Sequence, residues 1–205
     1  MDKPVVHTIG HSTHSADAFL GLLEAHRINA IADVRSAPYS RFQPHYNREP
    51  LQGLLRDRGI HYVFLGDALG GRSRSAADYE DGRVVYARLA KSAAFQAGID
   101  RLVTGATHYR IAVLCAEKEP LECHRTLLVA RELDRRGCPV AHIHGDGAVE
   151  SHDQAMSRLM EMHGIAGDSL FDTREQLIQH ACDLQEKRIA YVDPQMRTPE
   201  AAPMP

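Results

Sequence analysis

Short apolar runs alternate with amphipathic segments along most of the chain. Between the runs, apolar residues recur at the spacing of one helical face, as at Phe19, Leu22 and Leu23. Strands that alternate with helices are typical of a parallel sheet covered on both faces. The pattern therefore predicts an α/β fold with a mainly parallel five-stranded sheet and helices on both faces. The five predicted strands are residues 5–9, 30–34, 61–65, 109–114 and 140–143.

The pattern changes after about residue 165. Asp172 and Glu175 have the spacing of a helix-capping box, and an apolar stripe at helical spacing follows them. This C-terminal helix is expected either to pack on the domain or to join a partner. The last dozen residues are polar and rich in proline, which favours disorder. We therefore predict one α/β domain over residues 1–165, a helical extension over 166–193 and a disordered tail over 194–205.

Composition narrows the class of protein. The chain has 205 residues and a net charge of −3, so no global basic field attracts nucleic acid or an anionic membrane. Neither an export signal nor an apolar run of about 18 residues is evident, so we expect no membrane association. Four unevenly spaced cysteines in such a chain are expected to be reduced thiols. Together these features predict a cytoplasmic protein.

Polar and glycine residues follow several predicted strands at the ends where α/β sheets bind their ligands. Because the carboxyl ends of parallel strands share one edge of the sheet, these residues are predicted to line one pocket. Along the chain they are His11 and Ser12, Asp33 and Arg35, Gly70, Gly71 and Arg72, and Cys115 and Glu117.

The densest group of reactive residues is the segment from Cys115 to Arg125, which joins the most apolar predicted strand to a helix predicted from about residue 121. Cys123, His124 and Arg125 are expected in the first turns of that helix, where unpaired N–H groups and the helix dipole favour anions. Arg125 can also bind a phosphate or carboxylate through two hydrogen bonds. The alternative is that both cysteines only pack in the core.

Spacing argues against three familiar motifs in this segment. A phosphatase-type loop needs an arginine six residues after the cysteine, where this chain has Leu121. Seven residues separate Cys115 from Cys123, which is too many for a zinc knuckle. Neighbours on a helix, such as Cys123 and His124, point about 100° apart and rarely hold one ion together. The sequence therefore assigns no metal ligands, and Gly70-Gly71 is too short for a nucleotide-binding fingerprint.

A second group of candidates lies in the loop after the second strand. Arg35 and Arg41 can bind an anion, Ser40 can donate a hydrogen bond, and Tyr39 or Phe42 can stack on a base. The alternative is an ordinary surface loop in which Asp33 and Arg35 pair with each other.

The ordered motifs together resemble the domain-of-unknown-function 488 family. The resemblance spans roughly residues 4–148 and implies an α/β domain of bacterial or archaeal origin, without implying a reaction. Its motifs are Thr-Ile-Gly-His-Ser at 8–12, Asp33-Val-Arg35 with Pro38 and Ser40, Leu69-Gly70-Gly71, and the spaced set Cys115, Glu117, Pro120, Cys123, His124 and Arg125.

Besides a non-catalytic scaffold that dimerises through residues 172–190, three functions remain open at this point. The leading hypothesis is binding of, or action on, a phosphorylated or anionic ligand such as a nucleotide or a nucleic-acid end. In this hypothesis Arg35 and Arg125 hold the anion. Cys115 or His124 acts as nucleophile or general base, and Glu117 orients that side chain. The alternatives are a thiol-based redox or sulfur-transfer protein and a Cys/His metal-binding protein. The cofactor, the enzyme class and homodimer formation stay undecided, and nucleic acid is a possible partner that the net charge does not support.

Overall fold

The computed structural model describes residues 4–167 and 171–197, and it contains one large sheet and one small hairpin. The large sheet has the order β3-β2-β6-β1-β7-β8, and β4 and β5 form the hairpin. In chain order the strands are β1 Val6–Gly10, β2 Ala30–Asp33, β3 His61–Phe64, β4 Tyr79–Glu80, β5 Arg83–Val84, β6 Ile111–Cys115, β7 Val140–Ile143 and β8 Val149–Ser151.

The predicted α/β fold is confirmed. The five expected strands form the parallel part of the sheet, and β8 is added antiparallel to β7. The pattern did not reveal β8 or the hairpin, because two or three residues are too few for an alternation to emerge. β8 is preceded by Gly147, whose φ of +86° permits the tight turn back along β7.

Helices cover both faces of the sheet. The segment expected to be one helix from residue 121 is instead a 3-10 turn at Pro120–Glu122, a π-helical stretch at Arg125–Ala130 and then α6. In chain order the α-helices are α1 Ala16–Ala25, α2 Arg48–Asp57, α3 Gly66–Leu69, α4 Tyr86–Leu89, α5 Ala93–Ala106, α6 Arg131–Arg135, α7 His152–Met162 and α8 Arg174–Ile189.

Alternate residues of each strand feed two separate apolar layers. On one face Ile9, Ile31 and Leu114 pack with α1 and α2, and on the other Ala32 and Val113 pack with α5, α7 and α8. Central strands buried on both faces explain the continuous apolar runs in the sequence. Burial of the central strands makes the sheet a rigid support for the loops at its carboxyl edge.

The C-terminal helix α8 packs on its own domain. Ile178, Ala181 and Cys182 are buried against α7 and the shared core. After α8 the chain returns to the hairpin, where Val192 forms a bridge with Arg83. Of the predicted disordered tail, Pro194–Met196 form a 3-10 turn and residues 198–205 lie outside the described residues. The predicted boundary at residue 165 stays a prediction.

Candidate functional site

A cavity of about 220 Å³ opens at the carboxyl edge of the sheet, beside the ends of β2 and β6. The floor is formed by the end of β6, and one wall by the loop that follows β2. The cavity is lined by Arg35, Ser36, Ala37, Gly71, Arg72, Tyr86, Cys115, Ala116, Glu117, Glu122, Cys123, His124, Ile189 and Tyr191.

Two thiols and an imidazole meet on the wall of this cavity. The Sγ atoms of Cys115 and Cys123 and one ring nitrogen of His124 all lie within 4.8 Å of one another. Nδ1 of His124 is 3.7 Å from Sγ of Cys115 and 3.9 Å from Sγ of Cys123. Both cysteines are buried, whereas His124 is half-buried at the cavity.

This convergence corrects the expectation that Cys123 and His124 point about 100° apart. Cys123 is not helical: its φ of −139° and ψ of 140° are those of extended chain, inserted between the 3-10 turn and the π-helical stretch. The extended backbone at Cys123 turns the side chain of this residue back toward β6. His124 caps the start of the following π-helical stretch, and its ring lies close to both sulfurs. The spacing argument failed because it assumed a continuous helix.

The orientation of His124 is fixed from outside the cluster. Its Nε2 lies 3.1 Å from the carbonyl oxygen of Val34 at the end of β2. Because a carbonyl oxygen only accepts hydrogen bonds, Nε2 carries the proton and Nδ1 faces the two sulfurs. Gly71 closes over the ring, and a Cβ atom at that position would lie 2.9 Å from Cγ of His124.

Arg125 lies behind the cavity wall, fully buried. Its guanidinium donates to the carbonyl oxygens of Glu117 at 2.6 Å and Lys118 at 3.2 Å. Its main-chain N–H donates to Sγ of Cys123 at 3.4 Å. The close approach requires Gly10, because a Cβ there would lie 1.8 Å from the Glu117 carbonyl oxygen. In this arrangement Arg125 fixes the loop around the thiols and does not face a ligand.

Arg35 lines the cavity with its charge already paired. Nε and Nη2 donate to the two carboxylate oxygens of Asp33 at 2.9 and 2.6 Å, and Tyr62 donates to the same carboxylate at 2.8 Å. On its other side, Nη1 of Arg35 lies 3.2 Å from Nε2 of His11. Burial lowers the pKa of His11 to about 4, so the ring is neutral beside the guanidinium. The Asp33–Arg35 pairing is the alternative that the sequence left open.

The pKa values of the two thiols and of His124 are shifted in different directions. Burial raises the pKa of Cys115. Burial alone would raise the pKa of Cys123 too, but the hydrogen bond from Cys115 and the nearby Arg125 guanidinium hold it well below its usual range. Burial alone would lower the pKa of His124, yet its contact with Cys123 raises it. These shifts favour negative charge at Cys123 and positive charge at His124.

Glu117 adds a carboxylate to the edge of the cluster. Although the residue is exposed at the cavity, its Oε2 accepts a hydrogen bond from the buried Sγ of Cys123 at 3.0 Å. Desolvation of this carboxyl group and the nearby Cys123 raise the pKa of Glu117.

The structure brings seven of the fourteen predicted site residues to the cavity wall. They are Arg35, Gly71, Arg72, Cys115, Glu117, Cys123 and His124. Of the others, His11, Asp33 and Arg125 are buried behind the wall, and Gly70 packs against Ser36 on the far side of Arg72. Ser12 holds the loop through its main-chain N–H on the Ala116 carbonyl. Ser40 and Arg41 lie in the outer part of the β2–α2 loop.

Sequence reasoning missed the outer wall of the cavity. Tyr86, Ile189 and Tyr191 come from α4 and from the end of α8 and the segment after it, far along the chain from the motifs. Arg72 lies over the ring of Tyr191, with 4.6 Å from its Cζ to the ring centroid. No strand-end rule points to these residues. Ser36, Ala37, Ala116 and Glu122 adjoin predicted residues and were within reach of the same argument.

Comparison with known proteins adds one result. Residues 15–131 match the family described as Domain of unknown function DUF488. The chain belongs to the DUF488 family. The matched segment of this DUF488 protein contains the whole cluster of Cys115, Cys123 and His124 and the Asp33–Arg35 pair, but not His11 or Ser12, and it is shorter than the span of the resemblance. No curated protein and no solved structure matches the DUF488 chain significantly.

Over residues 4–167 and 171–197, the DUF488 protein has no helix both long enough and apolar enough to pass through a membrane.

Proposed function

We propose that this protein binds a divalent transition-metal ion, with zinc as the best match, through Cys115, Cys123 and His124. The observation that carries the proposal is the meeting of Sγ, Sγ and Nδ1 within 4.8 Å of one another on a cavity wall. Ligand atoms about 2.1 and 2.3 Å from a tetrahedral zinc ion lie about 3.6 Å apart. The 3.7 and 3.9 Å separations from Nδ1 to the two sulfurs are close to that value.

The surroundings of the three donors support a metal site. Histidine ligands usually donate their second ring N–H to a carbonyl or carboxylate, as His124 does to Val34. The N–H of Arg125 on Sγ of Cys123 is a contact that stabilises a bound thiolate. Two soft sulfurs and one imidazole favour zinc over magnesium or calcium. Metal binding would displace the proton that otherwise sits between His124 and Cys123.

Three protein ligands leave a fourth coordination position toward the cavity. Sites of this kind are catalytic more often than structural, because the open position takes water or substrate. The bound ion would act as a Lewis acid toward a small molecule in the cavity. Glu117 stands beside the donors with a carboxylate able to hydrogen-bond such a molecule.

Chemistry of the two thiols themselves is the second candidate function. The same sulfurs lie close enough for an external two-electron oxidant to join them as a disulfide after a small movement. The Arg125 guanidinium and N–H favour a thiolate at Cys123. This candidate requires both thiols to react, whereas the metal proposal requires both to be protected by a bound ion.

Binding of an anionic ligand, the leading hypothesis from the sequence, now rests on a smaller set of residues. Arg125 donates to the main chain and Arg35 is paired with Asp33, which leaves Arg72 as the cavity cation with no carboxylate partner among the described residues. The proposed ion supplies a second positive centre in the same cavity. A cytoplasmic location is part of the proposal, because these thiols need a reducing compartment.

The test is metal analysis of protein purified without a histidine tag. We expect about one zinc ion per chain in the wild type and little in Cys115→Ser, Cys123→Ser or His124→Ala. The matched control is Cys182→Ala, which removes a buried thiol packed between α7 and α8 and is expected to keep the metal. Wild-type protein that neither contains nor takes up zinc would refute the proposal, and a Cys115–Cys123 disulfide in that protein would establish the thiol candidate.

A further inference from the structure

The outer part of the β2–α2 loop displays two aromatic rings to solvent. Tyr39 is 75% exposed and Phe42 is 76% exposed, so neither ring is part of the buried core. The metal proposal gives neither of them a role. Both lie in a connection that begins at the cavity wall, where Arg35, Ser36 and Ala37 line the site.

This loop is held in a defined shape by its own hydrogen bonds. The Ser40 N–H donates to Oδ1 of Asn47 at 2.6 Å, and Oγ of Ser40 accepts from the N–H groups of Phe42 and Gln43 at 3.2 Å. The Arg48 N–H donates to the Pro38 carbonyl at 3.1 Å, which closes the loop onto α2. A loop ordered before binding loses less conformational entropy when a ligand stacks on its rings.

Charge on the loop has one sign. Residues 34–48 contain Arg35, Arg41 and Arg48 and not a single Asp or Glu. Arg41 lies over Phe42 and Arg48 over Phe64, with 4.8 and 4.4 Å from Cζ to the ring centroids. Among the described residues, neither Arg41 nor Arg48 has a carboxylate within ion-pair distance. The loop therefore combines two exposed aromatic rings with the guanidinium groups of Arg41 and Arg48, which have no carboxylate partner among the described residues.

We propose that Tyr39, Arg41, Phe42 and Arg48 form a binding surface for unpaired nucleotides of single-stranded nucleic acid. Aromatic side chains stack on bases of any sequence, and neighbouring arginines contact the phosphates. A protein partner would use the rings equally well, but it gains from two unpaired arginines only if it brings carboxylates to meet them. The net charge of −3 is no obstacle, because the positive charge is local and close to the rings.

The proposal is tested by fluorescence anisotropy with labelled oligothymidylate and oligouridylate of about 15 nucleotides, and with a duplex of the same length. We expect saturable binding of the single strands that weakens with salt. Tyr39→Ala/Phe42→Ala should weaken binding by about tenfold or more. Arg41→Gln/Arg48→Gln should weaken binding and reduce its salt dependence. Comparing the two single-stranded probes shows whether the surface binds DNA or RNA more tightly.

Matched controls lie away from the loop. Arg56→Gln removes a guanidinium whose side chain is 80% exposed, and Tyr109→Ala removes a partly exposed ring just before β6, at the opposite edge of the sheet. Both controls should bind as the wild type does. Absent binding, equal binding by the loop variants, or preference for duplex would overturn the proposal. A wild-type dimer that becomes a monomer in Tyr39→Ala/Phe42→Ala would overturn it in favour of self-association.

Discussion

Two loops leave neighbouring parallel strands at the same edge of the sheet, yet they use their side chains in opposite ways. After β6, the loop from Cys115 to Arg125 turns its sulfurs and its arginine inward, where main-chain groups and the sheet surround them. After β2, the loop from Arg35 to Arg48 forms hydrogen bonds between its own residues and leaves Tyr39 and Phe42 exposed to solvent. The β6 loop gathers sulfur and nitrogen atoms around one point at the cavity, whereas the β2 loop presents aromatic rings on the protein surface.

This difference has an energetic consequence. A buried polar group that loses its hydrogen-bond partner costs about 1–3 kcal/mol. The β6 loop therefore tolerates little change, and stability and binding should fail together there. The exposed rings of the β2 loop contribute little to folding, so binding can change there while stability stays the same. The predictions below test that separation.

The largest effect is expected at Gly10, below the β6 loop. Gly10→Ala places a Cβ 1.8 Å from the Glu117 carbonyl oxygen and 3.0 Å from Nη1 of Arg125. Neither atom can withdraw without breaking the hydrogen bond between them, so the free energy of unfolding should fall by more than about 3 kcal/mol. Urea denaturation measures this change.

The control for Gly10→Ala is Gly21→Ala, where an added Cβ meets nothing within 4 Å inside α1. It should leave stability unchanged or raise it by about 0.5–1 kcal/mol, since alanine favours helix. Equal stability of the two alanine variants would contradict the tight packing of the β6 loop.

Acid is expected to have the next largest effect on stability, through three buried histidines that lie outside both loops. Burial lowers the pKa of His7 and His152 to about 4 and the pKa of His142 well below its usual value. The unfolded chain binds protons near pH 6.5, whereas these folded rings stay neutral, so stability is complete above about pH 6.5 and declines below it. At pH 5 the burial of His7 and of His152 should each cost about 2 kcal/mol of stability.

Urea midpoints between pH 5 and 7 measure this slope. His152→Gln should reduce it, because one proton-linked group disappears from the buried pair that His152 forms with His142. A free energy of unfolding that is constant over this range would contradict neutral burial of the three histidines.

The smallest effect on stability is expected in the exposed loop. Tyr39→Ala/Phe42→Ala removes two rings that are about three-quarters exposed, so the free energy of unfolding should change by less than about 0.5 kcal/mol. Thermal or urea unfolding of the variant beside the wild type measures this. A loss above about 1 kcal/mol would mean that the rings support the fold and would remove the contrast between the loops.

The fold was predictable because the central strands are continuous apolar runs in the sequence. β1, β2 and β6 are buried on both faces, so their apolar runs appear in the sequence without tertiary information. The strand-end rule points to Cys115 and Arg35, and these two residues line one cavity with His124.

The arrangement within the cavity was not predictable in the same way. Cys123 adopts an extended conformation because the 3-10 turn beginning at Pro120 ends before it, and no periodicity in the sequence marks that break. Arg125 turns inward because the glycine at position 10, more than a hundred residues earlier, leaves room for it. Tyr191 reaches the cavity only after α8 has returned the chain to the hairpin.

Cys115, Cys123 and His124 are proposed to hold one metal ion, and cobalt(II) titration reports that binding through its absorption bands. Cobalt bound by two thiolates in a tetrahedral site gives a charge-transfer band in the near ultraviolet and intense visible bands. We expect saturation at about one cobalt per chain in the wild type and in Cys182→Ala. Loss of the thiolate band is predicted in Cys115→Ser and Cys123→Ser. A wild-type titration without these bands, or bands that persist in both serine variants, would contradict the account.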